Sequence, residues 1–198
     1  MKTMSRMLFR VRRVGRDLLA DCRGIAATEF AMIVPIMLVV FFGTVEFSSG
    51  VAVDRKVTLM SRTLSDLTSQ SISVADADLS NFFAAGTAIM TPYSSTPINS
   101  TITELWVNSS LQARVQWSKG SAPLAVSSVV TIPSQLAVAN TYLIYSQVSY
   151  LYVPTIGYVM AKGGVNLSDV AYTRPRQSTC VIYPTPSSGS SMPACPTL

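Results

Sequence analysis

Carboxylates in an apolar stretch are the most chemically loaded residues of this chain. Glu29 and Glu46 lie near the two ends of the run from Ile25 to Phe47 (IAATEFAMIVPIMLVVFFGTVEF) and are its only charges. A carboxylate carried to the centre of a bilayer costs on the order of 2 to 3 kcal/mol, so one inside the edge of such a run needs a partner. Other candidate chemistry is sparse. The chain has no histidine, which removes the commonest general base and the commonest metal ligand. Ser118-Lys119 has the residue types of a Ser-Lys hydrolase, but neighbours on a strand point to opposite faces and cannot share a proton. There is no phosphate loop, no dinucleotide glycine fingerprint and no cysteine cluster with zinc spacing. We therefore expect no catalytic residues, no metal, no cofactor and no small-molecule substrate, and read the chain as not an enzyme.

The elements that hold these residues follow from charge and hydropathy. Apolar residues make up 48% of the 198 residues and charged residues only 13%, so part of the chain should lie outside water. Lys2, Arg6, Arg10, Arg12, Arg13, Arg16 and Arg23 against Asp17 and Asp21 account for the whole net charge of +5. A basic flank followed by an apolar span predicts a cytoplasmic leader over 1–24, a single crossing over about 25–47, and an exported C-terminal part. It argues against nucleic acid as a partner, for which the basic residues would line a folded face.

Val51, Val53, Val57, Met60, Leu64 and Leu67 extend an apolar stripe beyond the span, predicting one helix over 25–70 of about 69 Å at 1.5 Å per residue. Pro35 is expected to kink it, and Gly43 and Gly50, near one face, to admit a neighbouring helix. An α+β head over 71–176 follows. Ser73-Val74-Ala75-Asp76 reads as a capping-box start for a short helix with Leu79, Phe82, Phe83 and Ile89 inward, closed by Pro92 and Pro97. Thr101–Val107 and the alternating Leu111, Ala113, Val115 and Trp117 read as an antiparallel hairpin about Asn108-Ser109-Ser110. One of its faces is expected on a core and the other toward water. Residues 120–139 read as a loop with one short strand near 128–132. Thr141–Tyr152 is the longest strand and Leu167–Thr173 a further one, before an irregular Pro/Ser-rich tail over 177–198.

Cys22 falls in the leader, whereas Cys180 and Cys195 fall together in the exported part. An oxidising compartment would let those two pair and contribute about 3 kcal/mol; the alternative is two free thiols in a loose tail. Tyr142, Tyr145, Tyr150, Tyr152 and Tyr158 could form an adhesive patch, but core and sheet packing is the plainer reading. Asn99, Asn108 and Asn166 begin glycosylation-type triplets that a bacterial host would ignore. Arg174 and Arg176 read as a solvated basic edge, with lipid headgroups or an assembly partner as the other choices.

The order Arg23-Gly24, Ile25-Ala26-Ala27-Thr28, Glu29-Phe30 and then a long apolar run resembles the processing region of type IV prepilins and of the TadE/TadG-like pseudopilins of tight-adherence (Flp-type) pili. Looser likenesses lie in Trp117-Ser118, in Thr141-Tyr142-Leu143 running to Val148-Ser149-Tyr150 and Pro154, and in Arg174-Pro175-Arg176. The resemblance implies a pseudopilin or minor pilin of the bacterial inner membrane, its head periplasmic, taking part in pilus assembly and cell adhesion. It implies cleavage by prepilin peptidase between Gly24 and Ile25, and assembly contacts through Glu29 and Phe30. Glu29 would pair with the new amine of Ile25 or of an adjacent subunit, so its partners are the inner membrane, the peptidase, and other pilins and assembly proteins. Three alternatives stay open: an uncleaved bitopic protein with a partner-binding head, a secretory signal cut near Ser48-Ser49-Gly50, and a Glu29 that merely snorkels among headgroups beside Arg23.

Overall fold

A helix, α1, runs unbroken from Arg23 to Ser69, through Pro35. The computed structural model describes residues 23–154, 163–185 and 193–197, so the basic leader to Cys22, Tyr158 and part of the tail lie outside the described residues. The chain divides into two compact units, Met1–Val45 and Glu46–Leu198, and α1 contributes to both.

In the first unit the helix is a single apolar surface. Phe30, Met32, Ile36, Met37, Val40 and Phe41 are all more than half exposed. The most apolar stretch has a mean hydropathy of 2.3 and none of it is buried. A helix of that length and composition is able to cross a membrane once, since about 20 apolar residues cover the hydrocarbon thickness.

In the second unit α1 becomes two-faced. Val53, Val57, Met60 and Leu64 are fully buried, each worth about 1.5 to 3 kcal/mol of transfer out of water. The expected stripe errs at its ends: Val51 is exposed and Leu67 only partly covered, while Ser61, Ser65, Thr68 and Ser69 are buried instead. Small hydroxyl side chains let the helix backbone approach the sheet and bond to it. Ser146 Oγ donates to the Ser61 carbonyl, and Ser65 Oγ donates to Thr173 Oγ1 at 2.7 Å.

The second helix, α2, spans Asp76–Ile89 and is capped at Ala75 rather than Ser73, with Asp78 Oδ2 accepting the Ala75 amide at 2.9 Å. The backbone at Ser73 and Val74 is engaged elsewhere: Ser73 pairs in parallel with Ile182, and the Val74 amide donates to the Ile182 carbonyl. Gly86 is what brings α2 onto α1. A Cβ there would stand 3.1 Å from Leu64 Cδ2 and 3.2 Å from two atoms of Met60.

Five antiparallel strands follow: β1 Ile98–Val107, β2 Ala113–Gly120, β3 Val129–Val130, β4 Thr141–Tyr152 and β5 Val165–Thr173, in the order β3-β2-β1-β4-β5. The fold is α+β. Asn108 Oδ1 closes the β1–β2 turn by accepting the amides of Ser110 and Gln112 at 3.0 and 2.9 Å, the local bonding for which Asn is favoured in turns.

Two expectations for the sheet are corrected. Ala113, Val115 and Trp117 do not share a face, because the register slips between Glu104 and Leu105, where Val115 and Trp117 are the partners and Gln116 is the extra residue. That bulge leaves Ala113 and Val115 in one core cluster and turns Trp117 into the other. Nor does the second face meet water. Leu105, Val107, Val115, Leu143 and Tyr145 are buried there, covered by Leu124, Val130, Ile132 and Leu136 of the Ser/Pro-rich segment after β2. The cause is visible in β4, where both parities are apolar: Leu143 and Tyr145 serve that face while Ile144, Val148, Tyr150 and Tyr152 serve the helix side.

Candidate functional site

Gly24, Ile25, Glu29 and Phe30 are placed by the first turns of α1. Helical spacing sets Glu29 one turn from Ile25 on the same face, at the i, i+4 separation where side chains and termini interact. All four residues are exposed, Ile25 by 55% and Phe30 by 69%. A Cβ built on Gly24 meets no described atom within 4 Å outside its own stretch of helix. Thr28 Oγ1 donates back to the Ile25 carbonyl at 2.8 Å. The arrangement offers a carboxylate one turn beyond Ile25 and an exposed apolar helix surface.

Gly50, read from the sequence as a place for a neighbouring helix, is faced by its own chain: the Tyr152 ring lies 3.6 Å from where its Cβ would be. Tyr152 also donates to the Glu46 carbonyl at 3.5 Å. Tyr142, Tyr145, Tyr150 and Tyr152 are all buried in the sheet cores.

The second cluster is in the head and was not singled out by sequence reasoning. Glu104, in the middle of β1, is fully buried. Its Oε2 accepts the Trp117 indole N–H at 2.9 Å and its Oε1 the Val181 amide at 2.6 Å, while the same indole N–H also reaches the Val181 carbonyl at 2.8 Å. Burial pushes the Glu104 carboxyl up to about 7, against the lowering effect of the Val181 amide and the Trp117 indole. Burial, and then the nearby Glu104, raise the Tyr142 phenol. The signal was present in the sequence as an acidic residue at an inward position of TITELWV, between Ile102 and Trp106.

This carboxylate grips the C-terminal segment. Val181 is fully buried, Cys180 is bonded to Cys195 with their Cα atoms 5.8 Å apart, and Tyr142 donates to the Pro196 carbonyl at 2.8 Å. Ser118 and Lys119 have separate partners: Ser118 Oγ lies 2.7 Å from Thr103 Oγ1, and Lys119 Nζ lies 3.3 Å from Asp76 Oδ1. Of the two basic-edge arginines, Arg176 pairs with Asp66. Among the described residues no three His, Cys, Asp or Glu side chains are grouped to hold a metal ion.

Residues 24–63 match the family model described as TadE-like protein. No curated protein and no solved structure matches the chain. The match ends within α1, so the looser likenesses at Trp117-Ser118 and Arg174-Pro175-Arg176 lie outside it.

Proposed function

We propose, from the premise that residues 24–63 are a TadE-like segment, that this chain is a pseudopilin or minor pilin that takes part in assembling a tight-adherence pilus. One observation carries the reading. The family match, residues 24–63, lies on an exposed apolar helix long enough to cross a membrane and takes in Gly24, Ile25 and Glu29, the last one turn beyond Ile25. On this reading prepilin peptidase cuts between Gly24 and Ile25 on the cytoplasmic face of the inner membrane, and the head lies in the periplasm. The freed amine of Ile25 neutralises Glu29, in the same subunit or the next, and the pairing sets axial register as subunits pack. The work is packing rather than turnover.

Cleavage is tested on protein taken from the bacterial envelope. N-terminal sequencing and intact mass should give a chain that starts at Ile25; a chain that still starts at Met1 overturns the processing step. The continuity of α1 across Gly24 and Ile25 favours a second reading, an uncut bitopic protein whose head binds a periplasmic partner, and the same measurement separates the two.

A further inference from the structure

One tyrosine organises the end of the head that adjoins the apolar run. Tyr152, at the end of β4, donates to the Glu46 carbonyl at 3.5 Å and lays its ring on Gly50. That ties the strand end to the level of the helix where the apolar run finishes at Phe47. Alternation along the strand then turns the residues on either side of Tyr152 outward, and Leu151 and Val153 are 44% and 57% exposed. Phe47 on the helix is 64% exposed. Beside them is a recess of about 380 Å³, lined by Ser49, Tyr93, Ser94, Tyr150, Tyr152 and Val153 among others.

Exposed aliphatic side chains beside tyrosines, tied to the helix at Glu46 and Gly50 where the apolar run finishes, match the composition of a membrane–water interface. Aromatic rings with a polar tip concentrate at headgroup level there. Ser49 is about 3 Å along the helix from Phe47 at 1.5 Å per residue, well inside a headgroup layer. Arg55, the nearest cation on the helix, is exposed about two turns beyond Phe47, and Lys56 beside it is held by the carbonyls of Ile89 and Thr91 at 2.7 and 2.8 Å, so the surface itself meets lipid by apolar and aromatic contact.

We infer that Phe47, Leu151, Val153 and the tyrosine-lined recess beside them seat the head on the phospholipid surface, as a second membrane contact besides the span. The inference rests on the single-pass reading proposed above, and its test keeps the two apart. Full-length protein carrying Cys22→Ser and one added cysteine, at Leu38, Phe47, Val153 or Leu111, is labelled with a fluorophore. It is then placed in vesicles of phosphatidylethanolamine and phosphatidylglycerol containing nitroxide lipids.

The label at Val153 should be quenched by a headgroup-level nitroxide to within about twofold of the label at Phe47, and the label at Leu111, in the β1–β2 turn, about fivefold less. Quenching at Leu38 by a deep nitroxide with none at Val153 would overturn the inference and leave the span standing. Lack of quenching at Leu38 would remove the span, and the inference with it. Protection of Val153 from aqueous iodide without lipid quenching would assign the surface to a protein neighbour and equally overturn it. In L151D/V153D, whose substituted side chains are exposed and leave the core intact, a label at Ser94 should lose its quenching; unchanged quenching there is a contrary result.

Discussion

The indole N–H of Trp117 lies 2.9 Å from Glu104 Oε2 and 2.8 Å from the Val181 carbonyl, so one donor joins a buried carboxylate to the C-terminal segment. Only the bulge at Gln116 makes this possible, because without it Trp117 would point to the opposite face of the sheet. The latch has a titratable centre.

Glu104 therefore predicts a pH dependence. Its folded pKa of about 7 stands above the ordinary 4.5, so the folded form holds its proton more tightly than the unfolded chain does. The stability it contributes is fully present below about pH 4.5 and is lost as pH rises through 7, a change on the order of 3 kcal/mol. Thermal melts of detergent-solubilised protein between pH 4.5 and 8 should show this as a fall of roughly 10 °C that Glu104→Gln lacks. Matching pH profiles for the two proteins would refute it.

Cys180 and Cys195 enclose a loop with a sequence separation of 15, for which the loss of chain entropy in the unfolded state is about 3 kcal/mol. Reduction, or the double change to serine, should lower the melting temperature by several degrees and expose the segment around Val181 to protease. Unchanged proteolysis after reduction would mean that the Glu104 contacts alone retain the segment.

Gly120 has φ of +140°, and a Cβ there would run into the Ser100 carbonyl oxygen. The obstacle is backbone of β1, which cannot swing aside. Gly120→Ala should cost at least about 2 kcal/mol in denaturant titration. Gly86→Leu, driven against Leu64 and Met60, should cost about 1 to 3 kcal/mol by overpacking.

The processing reading makes paired predictions in cells. Gly24→Ala should leave the full-length precursor accumulating on immunoblots. Glu29→Ala should be cut normally yet reduce assembly, since nothing then neutralises the new amine; full piliation in that variant would speak against the register role.

What the sequence discloses and what it hides divide along the range of the interactions. The long helix, both borders of β4 and the α+β class are legible because hydropathy and β-branched or aromatic content state them locally. The hairpin is legible too, but not its twist of register, since a bulge at Gln116 leaves no mark in a run that alternates well as ARVQWSKG. The cap at Ala75 is hidden for a related reason. The bonding of Ser73 and Val74 to Ile182 comes from far along the chain and outweighs a good local capping pattern. Glu104 is legible as an acidic residue at an inward position of β1, but its role is hidden because the partners that make its burial tolerable, Trp117 and Val181, are remote in sequence. At the processing region, residue type and spacing supply most of the reading, and the structure adds the exposure of the four residues.

Val53, Val57, Met60 and Leu64 belong to the same buried cluster as Ile102, Ile144 and Val181, although they stand on the helix that carries the apolar span. Anyone wishing to produce the head as a water-soluble fragment must therefore begin it near residue 46. A version begun at residue 71, where the loop and sheet sequence starts, would lack one wall of its own interior and should aggregate rather than fold.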